Sequence, residues 1–142
     1  MDNAFVRSAS DYSQLDLGHY EDGSYVILTL ESFDEDELDK KLLKLDELCR
    51  SHGAADVSMA DERVWTLRKN CLESARVLSK VMTSDDFVVP LDKIAQALDE
   101  LSAEAKKYPF RVFTLAHAGD GNLHFAILKG ELSDEEIGRA HV

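Results

Sequence analysis

Two histidines in the last third of the chain, His117 and His124, enclose a turn-like run with the sequence His-Ala-Gly-Asp-Gly-Asn-Leu-His. Apolar segments on both sides, Phe110 to His117 and Leu123 to Leu128, predict a β-hairpin. A tight turn centred on Asp120-Gly121 would pair His117 directly with His124. Opposed residues have Cβ atoms about 5 Å apart, so both imidazoles could reach one metal ion at about 2.1 Å each.

The same run also has a simpler interpretation. An Asp-Gly turn needs glycine for its positive φ with or without a ligand. The two histidines could also be exposed side chains of a hairpin that binds no metal. A pair of imidazoles without a third ligand is an incomplete zinc site. Both interpretations stay open here. The remaining histidines, His19, His52 and His141, fall in loop, helix-end and tail positions and are assigned no role.

Hydrophobic spacing predicts three amphipathic helices that support the hairpin. The first starts from Asp34 and has three acidic residues in its first turn, the second is capped by Asp61, and the third is opened by Pro90. Apolar residues recur every three or four positions in each, as on one buried helix face. These faces comprise Leu38, Leu42, Leu45 and Cys49; Val64, Leu67, Cys71, Leu78 and Met82; and Leu91, Ile94, Leu98, Leu101 and Ala105.

Strands are predicted before the first of these helices, at Tyr25 to Leu30, and between them, at Ala55 to Met59 and Asp85 to Val89. A short helix and a loop are expected within residues 3 to 20, and another helix from Ser133. The order β-α-β-α-β-α-β-β predicts an α+β fold of split β-α-β, ferredoxin-like type, with helices on one face of a largely antiparallel sheet. A single domain over residues 1–142 is expected.

Composition narrows the classes of function. The 142 residues are 44% hydrophobic and 31% charged, which is typical of one globular domain. A net charge of −12 disfavours nucleic acid and anionic membranes as partners. Cys49 and Cys71 are interpreted as small buried hydrophobes rather than a disulfide. No apolar run reaches the length of a membrane span, and a cytoplasmic location is expected.

The histidine run, preceded by Asp86-Phe87-Val88-Val89-Pro90 where a strand enters a helix, resembles the C-terminal domain of FAD-linked oxidases. That family includes glycolate oxidase subunits, D-lactate dehydrogenases and D-2-hydroxyglutarate dehydrogenases. The resemblance extends back through the helix at Val64 to Lys69, the segment Tyr25 to Leu30 and the lead-in from Asp11 to Gly18. It therefore covers nearly the whole chain.

The resemblance implies the substrate-binding part of a flavoenzyme that oxidises a 2-hydroxy acid. His117 and His124 would bind a divalent metal such as Zn²⁺, His124 would also act in catalysis, and Arg68 would pair with the substrate carboxylate. FAD would accept the hydride. The family's third ligand, a glutamate in a Glu-His-Gly motif, and its FAD-binding domain are not found within this sequence. The isolated chain is therefore expected to lack FAD and activity, and to need that missing domain or subunit.

Two positions depart from the family pattern, because a common lysine and a common asparagine are replaced by Ser84 and Ala126. The alternative function is a standalone, non-catalytic α/β module that binds a divalent metal or a protein partner. A hydrolase is disfavoured because no Gly-x-Ser-x-Gly nucleophile motif occurs. Surfaces left bare by a missing domain could also produce a homo-oligomer.

Overall fold

A computed structural model describes residues 1–17, 23–79, 81–130, 133 and 135. The elements within these residues confirm the α+β class. In chain order they are α1 (Asn3–Ser13), α2 (Glu35–Ser51), α3 (Glu62–Leu78), β1 (Met82–Val88), a 3₁₀ turn (Leu91–Lys93), α4 (Ile94–Ala105), β2 (Arg111–His117) and β3 (Asn122–Leu128). The chain divides into two compact units, of which the smaller is Val26–Glu62 and contains α2.

The larger unit contains a three-stranded antiparallel sheet in the order β1-β3-β2. The predicted hairpin is confirmed as β2 and β3, which are joined by residues 118–121. Strand β1 starts at Met82 rather than at the predicted Asp85. Met82 was predicted on the face of the preceding helix, and that assignment is wrong because Met82 pairs with Leu128 of the central strand.

A hydrophobic core joins one face of the sheet to α1 and α3. Its aromatic contact is between Phe5 of α1 and Phe113 of β2, with ring centroids 5.2 Å apart. Leu67 and Cys71, both on the predicted apolar face of α3, are almost fully buried in it. The buried members of this core are Phe5, Ala9, Leu67, Cys71, Ala75, Phe113, Leu115, Ala126 and Leu128.

Asp2 attaches the start of α1 to the outer edge of β2. Its carboxylate caps the helix by accepting a hydrogen bond from the backbone N–H of Phe5 at 2.7 Å, and it also accepts one from the backbone N–H of Thr114. The backbone N–H of Asp2 donates to the Thr114 carbonyl at 3.0 Å. Burial raises the pKa of the Asp2 carboxyl, while the two N–H donors act in the opposite direction.

The smaller unit is built around α2, which begins as predicted. The Asp34 carboxylate accepts a hydrogen bond from the backbone N–H of Glu37 at 3.2 Å, and the acidic first turn suits the positive end of the helix dipole. The predicted apolar face is only half-buried, and no residue of α2 is buried. Within the described ranges, no helix is long and apolar enough to cross a membrane.

The strands predicted at Tyr25 to Leu30 and Ala55 to Met59 are wrong, because neither segment forms a strand. The first segment is preceded by an isolated bridge between Ser24 and Asp2, and Tyr25 donates to the Met1 carbonyl at 2.9 Å. Alternating apolar residues describe a surface that suits a sheet, but a strand also needs a partner backbone. The helix that was predicted to start at Ser133 lies almost entirely outside the described residues. His19 and His141 also lie outside them.

Candidate functional site

The turn between β2 and β3 is held against the end of β1 by Gly121. Its φ of 76° favours glycine, and a Cβ there would lie 2.1 Å from the Val89 carbonyl oxygen. The backbone N–H of Val89 donates to the Gly121 carbonyl at 3.0 Å. The Asp120 carboxylate in turn accepts from the backbone N–H of Asn122 at 3.0 Å. The turn therefore fixes the start of β3 beside β1.

The predicted pairing of His117 with His124 is wrong by two residues. His117 pairs with Asn122 and His124 pairs with Leu115, because the turn uses residues 118–121. An even shift leaves both histidines on one face of the sheet. They are diagonal neighbours, with ring centroids 5.2 Å apart and ring planes at 84°. The two imidazoles therefore meet, although not as a directly opposed pair.

Asp86 of β1 completes the arrangement from the other neighbouring strand. It pairs directly with His124, and its Oδ1 lies 2.6 Å from the Nδ1 of His124. The side chain of His124 is 27% exposed and that of Asp86 is 61% exposed. The residues His117, His124 and Asp86 are called the His-His-Asp cluster below.

Sequence reasoning did not assign a role to Asp86, which appeared only inside the motif that carries the family resemblance. One signal was available, since an ionised residue next to an apolar Phe-Val-Val run is unusual in a strand. Its partner could not be read in the same way, because the pairing of β1 with β3 joins segments 38 positions apart.

Uncharged residues surround the His-His-Asp cluster on its face of the sheet. Val88 pairs with Asn122 at one end, and Ser84 pairs with Ala126 at the other. Ser84 and Ala126 thus lie directly opposite one another. Ala126 is buried in the core, whereas Ser84 is exposed. The cluster therefore occupies the open end of a face whose other end is covered by α1 and α3.

Arg68 lies on α3 and is half-buried. Its positive charge helps to lower the pKa of the Cys71 thiol, but burial is the larger effect and raises that pKa to about 11. Among the residues described, no hydrogen bond or ion pair joins Arg68 to His117 or His124. Its predicted role as carboxylate partner stays a prediction.

The cluster is not by itself a complete set of metal ligands. Two imidazoles could fill two positions of a four-coordinate ion, but the carboxylate of Asp86 is bonded to His124. In the part of the chain that the structure describes, no group of three or more His, Cys, Asp or Glu residues could hold a metal ion. A complete ligand set would therefore need donors from water, substrate or other protein residues.

The comparisons with known proteins agree with the resemblance. A family model described as "FAD linked oxidases, C-terminal domain" matches residues 1–142. A D-lactate dehydrogenase of Anaerostipes hadrus is 31% identical over 120 residues, covering 81% of this chain and 25% of that protein. The glycolate oxidase subunit GlcD of Escherichia coli is 27% identical over 145 residues, covering 99% and 29%.

A D-lactate dehydrogenase of Archaeoglobus fulgidus is 32% identical over 106 residues, covering 71% of this chain and 22% of that protein. The chain thus spans less than a third of the length of each of these relatives. Because the family model matches the sequence from its first residue to its last, the chain belongs to the C-terminal domain family of the FAD linked oxidases.

Proposed function

We propose that this chain is the substrate-binding part of an FAD-dependent oxidoreductase that oxidises a 2-hydroxy acid. The observation that carries the proposal is the meeting of His117 and His124 on one face of the sheet, 5.2 Å apart, with Asp86 bonded to His124. The names of the relatives support the substrate class, since lactate and glycolate are both 2-hydroxy acids.

The cluster suits the oxygen atoms of such a substrate. A 2-hydroxy acid carries a hydroxyl and a carboxylate on adjacent carbons, and two neighbouring imidazoles can bind and orient the hydroxyl end. When bound, a divalent metal would acidify that hydroxyl and FAD would accept the hydride. Arg68 is the candidate for the carboxylate, because a guanidinium offers a planar, two-point contact to it.

His124 carries two proposed roles that exclude one another at a single nitrogen. An imidazole nitrogen that coordinates a metal cannot at the same moment accept the hydroxyl proton. If His124 and His117 both bind metal, then His124 orients the hydroxyl. If they do not, then His124 is the base that removes the proton. Metal titration of the chain separates these roles.

The surroundings favour a substrate with one carboxylate. The strand residues next to the cluster on its face, where the structure describes them, are Ser84, Val88, Leu115, Asn122 and Ala126, and all are uncharged. A second carboxylate placed there would have no cation among these residues and would lie near the carboxylate of Asp86, which is unfavourable. Acids of the glycolate or lactate type therefore fit this face better than 2-hydroxyglutarate.

The remainder of the enzyme is a proposed partner. The relatives are about three to five times longer than their match to this chain, and the FAD-binding domain or subunit would contribute the flavin. A ligand held between two domains loses most of its contacts when one is absent. The 142-residue chain is therefore expected to purify without a flavin absorption band and to be inactive alone.

Calorimetric titration of ZnCl₂ into the chain tests the proposed site. We expect weak binding, well short of a structural zinc site, and at least a tenfold loss of affinity in the His117→Ala, His124→Ala double variant. His52→Ala is the matched control, because His52 is an exposed histidine at the end of α2. Equal heats from the double variant and the wild type would show that the acidic surface binds zinc non-specifically.

A second candidate function, a non-catalytic module that binds a protein partner, is favoured by one observation. The smaller unit exposes several large apolar residues, namely Val26, Leu28, Phe33, Leu43, Leu48 and Met59. Exposed apolar surface is typical of interaction sites. Turnover of lactate or glycolate by this chain joined to its FAD-binding portion, and its loss in His124→Ala, would distinguish an enzyme from such a module.

A further inference from the structure

His124 lies on the central strand, and the sheet register gives its ring one neighbour on each side. Asp86 of β1 is directly opposite, with its Oδ1 at 2.6 Å from the His124 Nδ1. His117 of β2 is the diagonal neighbour, with its ring centroid 5.2 Å away. Both neighbours are held by backbone pairing rather than by a loop, so the ring of His124 has defined surroundings.

The contact with Asp86 determines which ring nitrogen carries hydrogen. An ionised carboxylate can only accept a hydrogen bond, so at 2.6 Å the hydrogen belongs to Nδ1 of His124. A neutral imidazole has a single N–H, and Nε2 is then left with a free lone pair. We propose that Asp86 is a positioning residue that fixes His124 in the Nδ1–H tautomer, so that Nε2 is available to the substrate or its metal.

A purely structural role explains this contact poorly. Asp86 is 61% exposed, and ion pairs exposed to that degree contribute little to stability. Aspartate is also disfavoured within strands. What the contact does supply is the orientation and tautomer of the ring, which is how carboxylates commonly support histidine ligands. The identity of the group that Nε2 binds rests on the proposed function. The assignment of the tautomer does not.

The chain offers a matched control in the preceding residue. Asp85 has the same charge and lies on the same strand, but it pairs with Phe125 and its side chain belongs to the opposite face of the sheet. Asp85→Ala and Asp86→Ala therefore make the same change in composition and net charge. Only the second removes the acceptor beside His124.

Nitrogen-15 NMR of the histidine rings in the full chain, at about pH 8.5 where free imidazoles are neutral, tests the assignment. We expect the Nδ1–H form to predominate at His124 in the wild type and in Asp85→Ala. In Asp86→Ala it should shift toward the Nε2–H form that free histidine prefers. A wild-type His124 that is mainly Nε2–H would overturn the proposal without any variant, as would an unchanged tautomer in a folded Asp86→Ala.

Zinc affinity gives a second readout on the same proteins. Loss of a carboxylate behind a histidine ligand typically costs about tenfold or more in metal affinity, so Asp86→Ala should show that loss. Asp85→Ala should change the affinity by less than about twofold, since it alters only a screened charge. Equal losses in both variants would contradict the proposal. A wild-type chain that binds no zinc but holds His124 as Nδ1–H would refute the metal role alone.

Discussion

Helices α2 and α3 are both 17 residues long, both begin with acidic residues and both carry apolar residues at helical spacing. Their surroundings differ. Helix α3 buries Leu67, Cys71, Ser74 and Ala75, whereas α2 buries none of its residues. Amphipathic spacing therefore specifies a helix and the face it can bury, but burial itself depends on an apolar surface that another element presents.

The largest expected effect comes from truncating one leucine in each helix. Leu67 of α3 is 1% exposed and Leu43 of α2 is 69% exposed. Leu67→Ala should lower the free energy of unfolding by about 2–5 kcal/mol, because it leaves a cavity in the core. Leu43→Ala should change it by less than about 0.5 kcal/mol. Urea unfolding followed by circular dichroism measures both, and similar losses would show that α2 is also packed.

The two cysteines give a chemical form of the same comparison. Cys71 of α3 is buried, which raises the pKa of its thiol to about 11, whereas Cys49 of α2 is half-buried. At pH 8 a thiol with that pKa forms thiolate roughly 100-fold less than a free cysteine. We expect a thiol reagent to label Cys49 first and Cys71 only on unfolding. Fast labelling of Cys71 in the Cys49→Ser variant would contradict its burial.

Substitution of two glycines with positive φ, Gly121 and Gly53, distinguishes the cost of backbone strain from the cost of a steric clash. Gly121 in the hairpin turn faces the Val89 carbonyl, while nothing lies within 4 Å of a Cβ built at Gly53, just beyond α2. Gly121→Ala should cost about 2–3 kcal/mol, because the turn must move as well as adopt a strained φ. Gly53→Ala should cost about 1 kcal/mol from the strain alone. Chemical denaturation of both variants measures the difference in the free energy of unfolding. Equal losses would mean that the contact with the Val89 carbonyl does not constrain the turn.

The smallest effect concerns the exposed surface of α2. Lys41 lies 2.8 Å from the Glu37 carboxylate and, with Ser32, lowers the pKa of that carboxyl. The folded helix favours the ionised form of Glu37. Its contribution to the stability of the fold is therefore present at neutral pH and is lost as the pH falls through the lowered pKa. NMR titration of Glu37 should show its pKa rising in Lys41→Gln. An unchanged pKa would mean that Lys41 is not its partner in solution.

Local signals in the sequence were sufficient for the helices and the hairpin. The acidic first turn that follows Asp34 marks the start of α2 through neighbouring residues alone. The start predicted at Pro90 is less accurate, because a 3₁₀ turn follows Pro90 and α4 begins only at Ile94. The segment Tyr25 to Leu30 does not form a strand for the opposite reason. Its apolar residues satisfy the pattern, but among the described residues it pairs with no strand, and its contact with the Met1 backbone is confined to Tyr25. Strand β1 starts earlier than predicted, because its pairing with β3, a non-local contact, extends it to Met82.

The site was predictable in part for the same reason. His117 and His124 share a face because an even number of residues separates the paired positions of the hairpin. The predicted register was wrong by two residues, which is also even, so the prediction of a shared face remained correct. The turn length decided whether they were opposed or diagonal, and several lengths suit an Asp-Gly sequence. Asp86 depended on the partner of a distant strand, which no local pattern specifies.

The attachment of α1 to the sheet through Asp2 has a consequence for the order of folding events. The carboxylate that caps α1 also binds the backbone of a residue 112 positions away. Closing a segment of that length costs about 4 kcal/mol in chain entropy, far more than one capping bond returns. Within the sheet, the backbone N–H and carbonyl of Thr114 both bond to Asp2, on the edge of β2 that faces away from β3. We therefore expect the sheet to assemble before α1 docks, so changes at Asp2 should act mainly on the rate of unfolding.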